Sequence, residues 1–549
     1  MTRRTVMNPR ATPVHTPGIG ALFVLAIWTA LLLFAPPHSN AFWALNGFRS
    51  VTWGARALLL CAALAALLAA RAWTSARAWA WTAVVLIPVV AFVARDRGHV
   101  LGDTWMRYQT IALLGRELDQ LVFSRLTSSL HANVLDAVVN CVFPGWLQTQ
   151  GWSLDDAISA TSALVGIVFM AGVWRLSKRL APAPEARYAI ALGLTLTGGL
   201  ETFAGYAEST GLFLALGTWW WAELLSPLDR RSRAVRTLLA WWLMLAAHRL
   251  ALLGLLVHVA RVTEPPMPGE DRAARRDLAI GTAISAAGAV LLLSFAGGSH
   301  QILSDALEML RTVTGGRAPL SDIVNALMLV SPLAFLALLI VRRGLRPDSG
   351  ATPAVLVAGV VAYLPIALLA PAAPSGLGYH RDWDLLSFAG FVVSLMGAWL
   401  LSCLQADRVR VAVAACAPLL ALQAGSWLAV NADASASLLR ARTLAFGRPL
   451  IPADQRSHVL VLLAQREMAS GNPRQSARDY EASFGLVANG NNELRAAEAW
   501  LAAGERDSAR IALQRGRSAG PLSPIQEAKA TALERQVAAT DSVSTTAAP

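Results

Sequence analysis

Charged residues are scarce in this sequence. Asp, Glu, Lys and Arg together occupy 15% of the 549 positions, against roughly a quarter in soluble proteins. Lysine is nearly absent, because Lys178 and Lys529 are its only occurrences and arginine carries the rest of the positive charge. The four cysteines have no disulfide or metal-ligand spacing, and no GxxxxGK[ST] loop occurs. These absences argue against a soluble protein, an iron–sulfur protein and an ATP-driven pump.

Apolar runs fill the chain instead. Hydrophobic residues make up 55% of the sequence, and runs of about 17 residues or more recur from residue 18 to residue 430. Each run is long enough to cross a hydrocarbon core of about 30 Å. Backbone polar groups in lipid must pair within their own segment, and strand-like alternation is absent, so the runs predict helices. The predicted fold class is all-α, a polytopic transmembrane bundle of about 11–13 spans with a small C-terminal helical-repeat domain.

The predicted organisation has four regions. A cytoplasmic N-terminal segment covers 1–17, and a transmembrane domain covers 18–430, with an outer loop at 95–156. A helical domain on the extracytoplasmic side follows at 431–538, and a disordered tail rich in Ser, Thr and Ala covers 539–549. The predicted spans lie at approximately 18–35, 54–70, 79–94, 157–174, 188–204, 206–225, 237–260, 279–296, 322–341, 353–371, 385–404 and 411–430.

The arginines indicate how the chain is oriented. Cytoplasmic loops carry an excess of Lys and Arg, and a cytoplasmic N-terminus places the early basic loops inside. The net charge of +12 therefore fits a multi-pass protein of a bacterial inner membrane better than a nucleic-acid-binding protein. The segment Leu238–Ala260 tests this orientation. A single crossing there would put the later arginines outside, whereas a hairpin or two half-helices keeps them inside.

Two polar residues, His248 and Arg249, stand at the midpoint of Leu238–Ala260. Ionisable residues at membrane depth are costly and usually line a cavity or a site. We therefore predict a broken or re-entrant element at this point. The alternative is a single tilted helix whose arginine side chain reaches the membrane surface.

Two further helical patterns lie outside the spans. In the outer loop, apolar residues at steps of three and four predict an amphipathic helix along the membrane surface: Trp105, Tyr108, Ile111, Leu114, Leu118 and Leu121. In the tail, Ser476–Tyr480 resembles Ser508–Ala512 at an offset of 32 residues. This offset is close to the tetratricopeptide period, so the tail is either a set of tetratricopeptide-like repeats that bind a protein partner or a generic helical hairpin.

Three polar clusters fall on the outer face in this topology: Arg95–Asp103, Gly205–Ser209 and Gly378–Asp384. His248 and Arg249, at the predicted helix break, join them. The candidate site residues are Asp96, Asp103, Glu208, His248, Arg249, His380, Arg381, Asp382 and Asp384. Each cluster alone is more often a solvated turn, an ion pair or a carboxylate at a helix N-terminus than a site. Together they suit phosphate-bearing lipid chemistry, because arginine can clamp a phosphate and a carboxylate can act as a base or bind a divalent cation.

Short motifs in this region resemble the GT-C superfamily of membrane glycosyltransferases. The similarity lies in Gly102-Asp103 with the surface helix after it, in Leu126–Leu135, and in the turn that ends at Glu208. Many members carry two neighbouring acidic residues in the first outer loop, whereas here Asp96 precedes Asp103 by seven positions. The element Arg381–Asp384 also resembles one in bacterial membrane proteins that end in tetratricopeptide-like repeats.

The resemblance implies inverting transfer of a sugar from a polyprenyl-phosphate donor on the extracytoplasmic face. Asp103 would deprotonate the acceptor, and Arg381, with Arg249 or His248, would stabilise the departing phosphate. The remaining candidates would bind substrate: Asp96, Glu208, His380, Asp382 and Asp384. The implied partners are the lipid bilayer and the lipid-linked donor, and a divalent cation is left open as a cofactor. A non-catalytic scaffold for envelope assembly and a secondary transporter remain alternatives.

Overall fold

All regular elements of the protein are helices where its structure is described. The computed structural model describes residues 19–37, 39–100, 102, 104–117, 134–181, 183–295, 320–340, 353–372 and 378–539. Within these ranges the only β-type pairing is an isolated bridge between Ser39 and Arg448. The all-α class is confirmed. The predicted segment 1–17 and residues 540–549 of the predicted disordered tail lie outside the described residues.

The helices divide into a hydrophobic part and a polar C-terminal part. In the hydrophobic part they are α1 Ile19–Phe34, α2 Gly47–Ser50, α3 Trp53–Ala72, α4 Ala76–Pro88, α5 Thr104–Glu117, α6 Val134–Ala137, α7 Phe143–Thr149, α8 Leu154–Leu180, α9 Pro184–Thr195, α10 Ser209–Leu224, α11 Arg231–Ala247, α12 Gly254–Thr263, α13 Arg272–Phe295, α14 Leu320–Val330, α15 Pro332–Ile340, α16 Pro353–Leu369, α17 Trp383–Ser402 and α18 Ala406–Ala432. In the C-terminal part they are α19 Ala434–Phe446, α20 Ala453–Ala469, α21 Pro473–Leu486, α22 Gly490–Ala502, α23 Arg506–Ser518 and α24 Pro524–Ala539.

Six of the described helices are long and apolar enough to cross a membrane: α3, α4 with its extension to Val93, α8, α16 with its extension to Ala372, α17 and α18. The pair α14–α15, bent by 88°, would make a seventh span. The chain therefore has the helices of a multi-pass membrane protein. Two further predicted spans, 188–204 and 206–225, correspond to α9 and α10, which have 12 and 16 residues. Both are shorter than the ~20 residues that a crossing helix needs, so the described residues support fewer spans than the predicted 11–13.

The exposed surfaces of α3 and α4 suit a lipid environment. Only 22% of the apolar window of each helix is buried inside the protein. Large apolar side chains such as Leu58, Leu64 and Trp81 are more than half exposed. A continuous apolar surface of this kind is rare on soluble monomers. The helices α8, α17 and α18 are two-thirds buried or more and form the centre of the bundle.

The predicted break at His248-Arg249 is confirmed. Helix α11 ends at Ala247, and His248 has extended backbone angles (φ −159°, ψ 133°). A 3₁₀ helix over Arg249–Leu253 then leads into α12. The indole of Trp241 donates to the carbonyl oxygen of Ala251 at 2.7 Å, which holds the two arms together.

Both outer ends of this broken element lie at the same face of the bundle. Arg261 in α12 donates from Nε to the carbonyl oxygen of Leu224 (3.1 Å), which precedes α11. The backbone amide of Asp271 donates to the carbonyl oxygen of Leu228 at 2.7 Å, close to the start of the same helix. The element is therefore a hairpin that returns to the face where it began, and a single continuous tilted helix is excluded.

The polar tail packs on the opposite face from these contacts. Val100 and Trp105 share a hydrophobic core with Ala441 of α19 and Leu460 of α20. Asn40, between α1 and α2, donates from Nδ2 to the carbonyl oxygens of Gly447 (3.1 Å) and Pro449 (3.0 Å). A second core joins α20 to α24 through larger side chains: Tyr480, Leu494, Trp500, Leu513 and Leu533. The tail is thus fixed to the loops that contain the predicted site.

We expect Glu270→Gln to destabilise the protein, because Arg261 would remain buried without the carboxylate that it contacts. The two side chains are 1% and 0% exposed. Removing one partner of a buried ion pair costs about 3–5 kcal/mol, and thermal denaturation of the purified protein in detergent would show this as a lower midpoint. Asp407→Asn is the matched control, because that side chain is 84% exposed beside Arg410 and should contribute little. Equal midpoints for the two variants would contradict the expectation.

Candidate functional site

The loop after α4 is closed by the carboxylate of Asp96. Its Oδ1 accepts hydrogen bonds from the backbone amides of Gly98 (2.9 Å) and His99 (3.0 Å). The backbone amide of Asp96 donates to the carbonyl oxygen of Ala204 at 2.7 Å, which joins this loop to the turn before α10. Burial raises the pKa of Asp96 above its ordinary value. The residue therefore organises the loop, and its Oδ2 has no hydrogen-bond partner among the described residues.

Arg381 binds the backbone of the same loop. Its Nε donates to the carbonyl oxygen of Val100 (3.2 Å) and its Nη2 to that of Gly102 (2.9 Å). In return, the amide of Gly102 donates to the carbonyl oxygen of Arg381 at 2.9 Å. The guanidinium is buried, with 6% of the residue exposed. Asp103, the residue after Gly102 in the chain, lies outside the described residues.

The loop after α4, the turn before α10 and the start of α17 meet at Gly102. This glycine has φ +50°, and a Cβ added to it would stand 2.2 Å from the hydroxyl oxygen of Tyr206 and 3.5 Å from Oδ2 of Asp384. Only glycine suits that position, because both the backbone angle and the close approach exclude a side chain. The rings of Tyr206 and Trp383 lie 5.8 Å apart. Residues that are distant in sequence therefore converge in one polar layer.

An ion-pair network that the sequence did not indicate lies beside this layer. Arg107 of α5 pairs with Asp136 (2.9 Å) and with Glu208 (3.0 Å), and all three side chains are at least 93% buried. Asn140 donates from Nδ2 to Asp136 at 2.7 Å and to the carbonyl oxygen of Glu208 at 3.2 Å. The Glu208 carboxylate is therefore held in place by an arginine. The neighbouring carboxylates raise the pKa of Arg107 despite its burial.

The remaining predicted residues occupy different positions around the layer. His248 accepts from the amide of Leu250 through Nδ1 (3.1 Å), so it caps the 3₁₀ helix that contains Arg249. Asp382 stands at the N-cap position of α17, and Asp384 lies buried in the first turn of that helix. His380 is 3% exposed, and Arg440 of the tail is among the charges that act on it.

The tail supplies polar side chains that sequence reasoning also missed. Arg466 of α20 lies 4.5 Å over the ring of Trp105 and donates to the carbonyl oxygen of Arg97 at 3.2 Å. Arg440 of α19 lies 4.4 Å over Trp427. Its electrostatic partner is Glu201, which is fully buried. No local pattern marks these residues, because their partners are far away in the chain.

The described residues do not present a metal centre. Among them, no group of three or more His, Cys, Asp or Glu side chains is placed to hold a metal ion. The arrangement consists instead of buried carboxylates, arginines and aromatic rings. Such side chains can bind the hydroxyls of a sugar and the oxygens of a phosphate.

Comparisons with known proteins give no further identification. No protein-family model, no curated protein and no solved structure matches the chain.

The stability of the protein should fall below pH 6.5, in part because of His380. Burial, and then the charges of Arg381 and Arg440, lowers the pKa of this imidazole to about 3. The unfolded chain binds a proton near pH 6.5 and the folded chain does not, so this residue costs up to about 1.4 kcal/mol per pH unit between those values.

His380→Gln should therefore lose less thermal stability between pH 7 and pH 5 than the parent protein. The measurement is the denaturation midpoint in detergent across this pH range. Between pH 7 and pH 9 the imidazole is neutral in both states, so the two proteins should change in parallel there. The same acid slope for both proteins would show that His380 is protonated in the folded state.

Proposed function

We propose that this protein is a membrane glycosyltransferase of the GT-C type, which transfers a sugar from a polyprenyl-phosphate donor to an acceptor hydroxyl. The observation that supports this most directly is the pair of hydrogen bonds from Arg381 to Val100 and Gly102. They hold a guanidinium beside the residue that precedes Asp103. Transfer from a lipid phosphate requires a base for the acceptor hydroxyl and a cation for the departing phosphate.

The proposed reaction is a single displacement. Asp103 takes the proton of the acceptor hydroxyl, whose oxygen forms a bond to the anomeric carbon of the sugar. The bond between that carbon and the phosphate oxygen breaks, and the electron pair leaves with the polyprenyl phosphate. Arg381 stabilises the charge on the departing phosphate, and Arg249 or His248 of the hairpin assists it. The surrounding polar layer is formed by Asp96, His380, Asp382 and Asp384. Glu208 helps to position this layer through its ion pair with Arg107.

The proposed orientation places this layer on the extracytoplasmic side of a bacterial inner membrane, with a cytoplasmic N-terminus. Supporting this, arginines gather at the face opposite the tail, where Arg175 and Arg236 both contact Glu223. In this proposal the tail is an extracytoplasmic domain of tetratricopeptide-like repeats.

Substitution of the two central residues tests the reaction. Asp103→Asn should lower transfer by about 10²–10⁴-fold, because the base is lost. Arg381→Lys keeps the charge and loses the two-point contact with the loop, so we expect a loss of about 10²-fold or more. The assay measures transfer from a panel of polyprenyl-phosphate [¹⁴C]sugars in membranes that contain each variant.

Asp155→Asn is the matched control for this assay. Asp155 lies at the same face, its side chain is 40% exposed and its cation partner is Arg95 at 3.8 Å. We expect this variant to retain transfer. Unchanged transfer by both Asp103→Asn and Arg381→Lys, with the parent protein active, would rule out the assigned roles.

A second candidate function is recruitment of a protein partner by the tail. A cavity of about 620 Å³ opens between α20, α21 and α22, and Glu467, Arg474, Arg478 and Ala503 contribute to its lining. Arg478 is exposed at this cavity. An arginine in this position favours an acidic partner segment.

Arg478→Glu should weaken binding of an acidic peptide about tenfold or more, because it places a like charge in the cavity. Fluorescence anisotropy with a labelled acidic nonapeptide and the full-length protein measures the affinity. Arg510→Glu, on α23 and outside the cavity lining, is the control and should bind as the parent does. If the parent protein does not bind the peptide, this function is rejected.

A further inference from the structure

A second cavity lies where the surface helix meets the tail. It has a volume of about 310 Å³, and its lining includes Gln109 of α5, Gln465 of α20, and Ser476 and Tyr480 of α21. This volume is at the lower end of the range for small-molecule sites, which is about 300–1,000 Å³. The cavity therefore suits a compact ligand rather than an extended chain.

The residues that line this second cavity, which we call the cleft, can form hydrogen bonds on several sides. Gln109 is exposed and Gln465 is half-buried, and each side-chain amide can both donate and accept. Ser476 is fully buried, and its hydroxyl has no hydrogen-bond partner within the part of the chain that the structure describes. Buried hydroxyls are nearly always hydrogen-bonded, so an unpaired one at a cavity points to a polar ligand. Tyr480 adds an aromatic side chain that is 5% exposed.

The charges of the cleft are nearly balanced. Lys529 donates to Glu498 at 2.6 Å, so these two charges offset each other. Arg495 also lines the cleft, beside the hydroxyl of Tyr480, so the lining carries one net positive charge. A ligand with several phosphates would meet too few cations here, whereas a neutral ligand with many hydroxyls would find both donors and acceptors.

We propose that this cleft binds one or two sugar units of a neutral glycan, as the acceptor site of the transferase. The acceptor role rests on the proposed function, whereas the binding of a glycan rests on the cleft alone. Gln109 lies roughly 7.5 Å along the axis of α5 from its first residue, Thr104. A glycan in the cleft would thus lie next to the polar layer where Arg381 contacts Gly102.

The experiment measures glycan binding to the full-length protein in detergent, with no lipid-linked donor present. Saturation-transfer difference NMR detects weak binding, and the probes are maltose, cellobiose and chitobiose. We expect at least one disaccharide to bind the parent protein. Ser476→Val and Gln109→Ala should each raise its Kd about fivefold, the value of one hydrogen bond of about 1 kcal/mol.

Ser508→Val is the matched control, because Ser508 occupies the equivalent position in the second repeat-like segment and lies outside the cleft lining. Its hydroxyl contacts Glu505 at 3.4 Å instead. This variant should bind the disaccharide as the parent does. Gln109 lies on the exposed side of its helix, so Gln109→Ala tests the proposal even if Ser476→Val fails to fold.

Three results would overturn the proposal: no disaccharide binds, both variants bind like the parent, or the cleft binds only an acidic tripeptide offered as competitor. The outcome is separable from that of the proposed function. Glycan binding by a protein that transfers no sugar would reject the transferase and retain the cleft as a glycan site. Transfer with an unchanged acceptor KM in both variants would reject the cleft and retain the transferase.

Discussion

Buried arginines join the parts of this protein that hydrophobic packing alone would leave separate. Arg107 connects α5 to two carboxylates, Arg381 connects the start of α17 to the loop after α4, and Arg261 closes the hairpin at the opposite face. A buried guanidinium without partners would cost several kcal/mol, so each of these contacts specifies one arrangement of the elements around it. The polar layer exists because carbonyl oxygens and carboxylates converge on these cations.

The tail extends this layer rather than standing apart from it. Its first two helices share a core with Val100 and Trp105, and Arg466 covers the same tryptophan. Asn40 contacts the tail from the loop between α1 and α2, and Arg440 of the tail lies over Trp427 of α18, the last hydrophobic helix. The cleft at Gln109 is a consequence of this docking, since neither α5 nor the tail alone would enclose it.

Predictions from the sequence were correct where they depended on local features or on the number of charged residues in whole loops. Arginine placement and the polar midpoint predicted that Leu238–Ala260 is broken, and the chain does break at His248. The span predicted at 188–204 from hydropathy does not form one continuous α-helix. The α-helix ends at Thr195, and a 3₁₀ helix follows over Gly198–Phe203. Hydropathy does not detect such an interruption, because the residues on both sides of it are apolar. The pair of Arg107 with Asp136 was missed because neither residue belongs to a motif, and their contact depends on how α5 packs.

The sequence by itself determined the helical class, the apolar helices and the grouping of candidate polar residues near helix ends. These properties follow from hydrophobic runs and charge counts, which act over short stretches of chain. Only the tertiary structure decided which polar groups meet: Arg381 with the Gly102 carbonyl, Glu208 with Arg107, and α5 with the tail. The physical reason is that a buried charge or hydrogen-bonding group must find a partner in space, and the separation of two residues along the chain does not reveal that partner.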